Sequence, residues 1–150
     1  MKSVQALMIP DEAAKAIRCC AVTSAEHIVD TTTAAALGEV ALVTAYQDMT
    51  VVSAYLLPNL TVTPASGSNT QTYQVTRYDA SGANGATVAT CTIANASAAT
   101  QWVAKAFQLS TPVTVPAGYS LTLKSTLAGT CTLPNGKVVV NMTVDGNTTI

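Results

Sequence analysis

TQTYQVTRYDASGANGATVATCTIA, residues Thr70 to Ala94, is the stretch on which the reading of this chain turns. From Gln71 to Tyr78 the apolar Tyr73 and Val75 alternate with Gln74 and Thr76, the period-two pattern of a strand with one buried face. Asp79 to Gly85 (DASGANG) then gathers residues that accept tight turns and positive φ. Ala86 to Ala94 returns in period two, with Ala89, Cys91 and Ile93 on one parity and Thr90 and Thr92 on the other. Strand, turn-rich loop and strand in succession make a β-hairpin, so the chain is read outward from here as antiparallel sheet.

The same period runs through most of the sequence after Gly38. Gly38 to Tyr46 is one strand run, and Thr50 to Leu57, apolar on both faces and stopped by Pro58-Asn59, has the composition of a central strand. Trp102 to Ser110 reads as a strand with Val103, Phe107 and Leu109 on one face; Lys105 shares that parity, which places it near an edge or end. Thr111 to Val115, the turn Pro116-Ala117-Gly118 and Tyr119 to Lys124 read as a turn-linked pair with Leu121 and Leu123 inward. Pro134-Asn135-Gly136 introduces a last strand, in which Val138, Val140, Met142 and Val144 alternate with Val139, Asn141 and Thr143. About eight short strands at turn spacing, with no βαβ alternation, predict an all-β domain: a jelly-roll-like or Greek-key β-sandwich. The expected core is Val75, Ile93, Phe107, Leu109, Leu121, Leu123, Val138, Val140 and Met142.

The first twenty residues follow a different pattern. Pro10, Asp11 and Glu12 supply a helix start, and Ala13 to Arg18 continue it with good helix formers and a basic end. The chain therefore divides into an N-terminal arm or short helix over 1–20 and a β-sandwich domain over 21–150, with Asp30 to Ala36 as a connection. The arm's apolar residues Val4, Leu7, Met8, Ile9 and Ile17 need a partner, because a helix this short is marginal in water by itself. They are the candidate partner-contact residues.

Composition limits the function classes. Charged residues make up 10% of the chain, against about 25% in ordinary soluble domains. Such a surface is either a neutral exterior of Thr, Ser, Ala and Asn or one largely buried against other subunits. The net charge is −1 and the seven basic residues are scattered, so no basic stripe exists for nucleic acid. No apolar run reaches the roughly 20 residues that span a bilayer, and Ser3 to Ile9 is too short and mixed for a signal-peptide core. Export by that route is not expected.

Catalytic groups are few. His27, in a weak strand, is the single histidine, and with no G-x-S-x-G elbow a Ser-His-Asp triad has little to build on. Cys19, Cys20, Cys91 and Cys131 form no C-x-x-C pair, so no zinc site is expected. Cys91 reads as a buried thiol; a Cys91–Cys131 bridge is the alternative. Asp79, Ser81 and Asn84 offer oxygens to a calcium ion, although turn chemistry accounts for them better. Four Asn-x-Thr/Ser matches are what chance gives in a chain rich in Asn and Thr. Neither a catalytic site nor a cofactor is expected, and the chain is read as a non-enzyme.

Three stretches carry a resemblance. ALVTAYQDMTVVSAYLLPNLTVT (41–63), TQTYQVTRYDASGANGATVATCTIA (70–94) and AKAFQLSTPVTVPAGYSLTLKSTLAGTCTLPNGKVVVNMTV (104–144) are similar to small structural proteins of tailed-bacteriophage heads. These are decoration (cement) proteins and related head components. The likeness spans roughly Leu37 to Val144 and is one of pattern: an Asn-rich turn, a Gly-rich hairpin, the VPAGYSL turn and the LPNGKVVV closing strand. It implies a virion structural protein, made in the host cytoplasm and placed on the capsid surface, with the major capsid protein and its own copies (a homotrimer) as partners. The alternative is a carbohydrate- or receptor-binding module of a head fibre or tail. That role calls for clustered exposed aromatics, for which Trp102, Tyr78 and Tyr119 are the candidates.

Overall fold

The computed structural model describes residues 22–29, 38–64, 66–111, 113–129 and 136–144. Ten strands follow in chain order: β1 (Val22–Val29), β2 (Val40–Thr44), β3 (Met49–Pro58), β4 (Thr70–Tyr78), β5 (Ala86–Ile93), β6 (Lys105–Ala106), β7 (Gln108–Leu109), β8 (Val113–Val115), β9 (Ser120–Ala128) and β10 (Gly136–Val144). They form two antiparallel five-stranded sheets packed against each other, a β-sandwich. One has the order β1-β10-β3-β6 with β8 also on β3; the other has the order β2-β9-β4-β5-β7. The sandwich expectation holds, whereas its jelly-roll form does not follow from these strand orders. The expected arm over 1–20 and the connection over 30–36 lie outside the described residues.

The inner faces supply the core, as alternation requires. Met49, Val51, Ala54 and Leu56 of β3 and Val138, Val140 and Met142 of β10 meet Tyr73 and Val75 of β4, Cys91 and Ile93 of β5, and Leu121 and Leu123 of β9. Of the nine expected core residues eight are buried, and Leu109 packs half-buried against them. As read from the sequence, β3 is central, with β10 on one side and β6 and β8 on the other.

Bulges break the period where apolar residues come in pairs. Between Asn141↔Ser53 and Met142↔Val51 the register skips Val52, which is turned outward and exposed. Between Val75↔Ala89 and Thr76↔Thr87 it skips Val88, so Val88 and Ala89 both point inward and are buried.

Two expectations are corrected. Trp102 to Ser110 is not one strand: β6 pairs with β3 in the first sheet and β7 with β5 in the second. The chain crosses between sheets at Phe107, whose N–H donates to the Ala54 carbonyl at 2.9 Å while Ser110 N–H donates to Val88 O at 3.0 Å. The crossing resets the alternation, so Phe107 is buried and Val103 is exposed. Lys105 does sit on an edge strand. Nor do the runs flanking Pro116-Ala117-Gly118 pair with each other: β8 joins β3, and β9 lies between β2 and β4. The turn itself is there, with Gly118 at φ 83° and Tyr119 N–H donating to Pro116 O at 3.0 Å. Its outward amides are taken up across the sandwich, Ala117 N–H by Asp48 Oδ1 at 2.8 Å and Gly118 N–H by Ala45 O at 2.7 Å. The turn therefore carries the chain from one sheet to the other.

Candidate functional site

Among the described residues no group of three His, Cys, Asp or Glu side chains is placed to hold a metal, and no helix is long and apolar enough to cross a membrane. His27 lies in β1, opposite Val138 of β10. The arm residues Val4, Leu7, Met8, Ile9 and Ile17 lie outside the described residues.

The Asp79–Gly85 loop is organised by its own polar groups. Asp79 Oδ1 accepts from Ser81 N–H at 2.9 Å, Ser81 Oγ at 2.6 Å and Ala83 N–H at 2.9 Å, while Oδ2 accepts from Asn84 Nδ2 at 2.6 Å. These bonds, led by the Ser81 hydroxyl, favour the carboxylate and hold the Asp79 pKa down to about 2. Asn84 adopts φ 53° and Gly82 φ 77°, the conformations that the Gly/Asn-rich sequence permits. The carboxylate oxygens are thus engaged in forming the turn.

Of the three aromatic candidates the fold brings Tyr78 and Tyr119 to one end and leaves Trp102 apart. Tyr73 is part of the core. Tyr78 and Tyr119 are half-buried at the end of the sandwich where β4 meets β9. There Tyr78 OH donates to Glu39 Oε2 at 3.1 Å, Thr122 Oγ1 donates to Glu39 Oε1 at 2.6 Å, and the Arg77 guanidinium lies 5.7 Å from the Tyr119 ring centre. The Thr122 bond foremost lowers the Glu39 pKa, and the bond to Glu39 raises that of Tyr78. Trp102 lies at the other end, beside Pro58. The ten residues of β3, about 30 Å of strand, separate the two ends.

Trp102 is the most unusual residue of the surface. Its side chain is 65% exposed and its backbone is left-handed, φ 59°. That conformation costs a bulky L-residue about 1–2 kcal/mol, so the surrounding loop must impose it. The restraints are visible. Trp102 N–H donates to Pro58 O at 2.9 Å, Gln101 N–H to Thr61 Oγ1 at 3.0 Å, and Gln101 Nε2 to Asn59 O at 2.9 Å. Val103 N–H closes the turn onto Thr100 O at 3.1 Å, and Val62 and Ala99 exchange two backbone bonds beneath it. The result is a braced loop that carries Trp102 and Val103 into solvent, tied to the 58–61 turn from which Leu60 also projects.

A slot of about 230 Å³ opens on the same flank. Thr90, Cys91, Thr92, Ser97, Lys105, Ala106 and Gln108 line it. It exists because β7 covers only Ala89 and Thr90 of β5, after which the sheet edge is left open. Lys105 Nζ spans its side, donating to Ser97 Oγ at 2.7 Å and Ala98 O at 3.2 Å. Cys91, a free thiol as read from the sequence, is held in its protonated form by burial, which lifts its pKa to about 11.

The sequence reading missed the exposed Trp102 loop because it assigned 102–110 to one strand and turned Val103 inward. A signal was present: residues 49–76 and 80–104 contain no Asp, Glu, Lys, Arg or His. Those two runs build β3, most of β4, β5 and the loops that carry Leu60 and Trp102. Compared with protein-family models and with curated protein sequences, the chain matches none.

Proposed function

We propose that this protein is a structural component of a phage virion that decorates the capsid, binding the assembled major capsid protein and its own copies. The observation that carries this reading is the charge-poor surface. Two runs without a charged side chain, 49–76 and 80–104, supply β3, β5, most of β4 and the loops that carry Leu60 and Trp102, and the large apolar residues Tyr46, Val52, Leu60, Trp102 and Val103 are exposed on the domain. Interface cores are depleted in charge and rich in aromatics, so a surface of this kind suits burial against protein. The pattern of 41–63, 70–94 and 104–144 supports the same role. A protein that binds only the assembled shell stabilises that state by mass action and needs no catalytic group.

The arm over 1–20 is the second proposed contact, through Val4, Leu7, Met8, Ile9 and Ile17. Co-sedimentation of full-length and Met1–Arg18-deleted protein with purified capsids tests both statements, with thermal melting run in parallel. The expected result is binding by the full-length protein, and a truncated protein that melts as before but binds far less. Absence of binding by full-length protein would overturn the decoration role, and equal binding by the truncated form would overturn the role of the arm. For the carbohydrate-binding alternative the aromatics are divided between two ends, Trp102 at one and the exposed Tyr46 with the half-buried Tyr78 and Tyr119 at the other.

A further inference from the structure

We propose that the outer face of the β2-β9-β4-β5-β7 sheet, at its Tyr78 end, binds a neutral sugar ring, with Tyr78 as the platform, Tyr46 at its side and Glu39 as acceptor for its hydroxyls. This goes beyond the capsid role and does not depend on it. The first observation is how Tyr78 lies. Its backbone is paired with Ser120 of β9, yet its hydroxyl donates at 3.1 Å to Glu39, which precedes β2 on the far side of β9. Thr122 of β9, on the parity opposite to the buried Leu121 and Leu123, donates to the same carboxylate at 2.6 Å. The phenol ring therefore crosses β9 along the outer face of the sheet instead of standing up from it. Gly85 leaves room for that position, because a Cβ there would come within 2.7 Å of the ring. Half-buried and tied down at its hydroxyl, Tyr78 presents an apolar body that needs little ordering on contact.

The second observation is what surrounds the ring. Glu39 already accepts two hydroxyls, and an ionised carboxylate has about four acceptor positions, so about two remain. Thr44 and Ser120 share one hydrogen bond at 2.9 Å, which leaves the pair a hydroxyl hydrogen to give. Past Thr44 the ladder continues: Ala45 N–H donates to Tyr119 O at 2.8 Å and Gly118 N–H to Ala45 O at 2.7 Å. Tyr46 is thereby set opposite Gly118, on the parity of Thr44, and is 73% exposed. Two strand spacings, about 10 Å, separate its strand from that of Tyr78, and the residues between them, Gly118 and Ser120, are small.

These groups match the chemistry of a pyranose, which has an apolar C–H face and a rim of hydroxyls that both donate and accept. The C–H face lies on Tyr78, one hydroxyl donates to Glu39, and a second accepts from the Thr44–Ser120 pair. Tyr46 covers a further side of the ring. An anionic ligand is repelled by Glu39, and Lys124, near enough to favour the Glu39 charge, opposes a cation. A purely apolar ligand would cover the carboxylate and the hydroxyls without pairing them, which is unfavourable. A neutral, hydroxyl-rich ring avoids all three penalties.

Full-length, isotope-labelled protein is titrated with the methyl glycosides of glucose, galactose, mannose and N-acetylglucosamine, and backbone amide shifts are followed by NMR. With at least one of them, saturable shifts are expected at Ala80, Gly85, Gly118 and Ser120 and none at Gln101 to Val103. Tyr46→Ala removes a side chain that is mostly in solvent, so it should melt as the parent does and bind at least about fivefold more weakly. Tyr78→Ala should weaken binding at least about tenfold, whereas Tyr78→Phe, which keeps the ring, should stay within about threefold of the parent. The site is overturned by an absence of saturable shifts with every glycoside, by shifts confined to the Trp102 loop, or by unchanged affinity in Tyr46→Ala and Tyr78→Ala. None of these results touches the capsid role, which co-sedimentation tests separately.

Discussion

Phe107 sits where the chain passes from one sheet to the other, 6% exposed, and its burial was legible from its place among apolar residues. Phe107→Ala should therefore lose about 3–5 kcal/mol of unfolding free energy in urea titration, and a loss near zero would contradict the packing described. Gln71 is the opposite case. Period two puts it on the inward parity of β4 with Tyr73 and Val75, and it is fully buried, but neither end of its carboxamide has a hydrogen-bond partner among the described residues. A buried polar group without partners costs about 1–3 kcal/mol, so Gln71→Met, similar in volume, should stabilise the domain by an amount of that order. A destabilised variant would show that the amide is satisfied. Asp79 gives a pH prediction with a defined sign. Its folded pKa, about 2, lies below the ordinary 3.8, so its contribution to stability is present above about pH 4 and lost as pH falls toward 2. In an NMR titration its carboxyl should titrate near 2, and Asp79→Asn should flatten the acid limb of the stability profile.

At the scale of strands, the hairpin of β4 and β5 was readable, its bulge apart, because its loop chemistry and both flanking alternations lie within 25 consecutive residues. The central position of β3 was readable from its two-sided apolar composition. What alternation alone could not give was sheet membership. A period-two run has the same appearance whether it stays in one sheet or changes sheets midway, which is why 102–110 and 111–124 were assigned wrongly. The bulges at Val52 and Val88 are invisible for a related reason: VV and VA pairs fit either parity, and only the partner strand's register selects one. The closing strand was correctly placed, and Gly136 at its start has a packing reason. A Cβ there would run into Leu57 O and the Pro58 Cα of β3. Gly136→Ala should consequently lower stability by about 1–3 kcal/mol, since backbone rather than a flexible side chain must give way. An unchanged melting temperature would mean that β10 and β3 are farther apart at this point.

For the whole molecule, low charge was read from composition, but its arrangement emerged only when the neutral runs 49–76 and 80–104 were placed on strands of both sheets and on the loops that carry Leu60 and Trp102. The sandwich thus has two unlike ends. One carries Glu39 bonded to Tyr78 and Arg77 beside Tyr119; the other carries Trp102 on loops without a charged side chain, with Lys105 and Lys137 on the strands next to them. Such asymmetry fits a particle in which one end meets protein and the other keeps polar contacts. The central claim, a structural place on a virion, has a direct test in the protein stoichiometry of purified, intact particles measured by quantitative mass spectrometry. The account predicts that this chain is present in a fixed ratio to the major capsid protein, unchanged by further gradient purification. A ratio that falls toward zero as the particles are purified would contradict it.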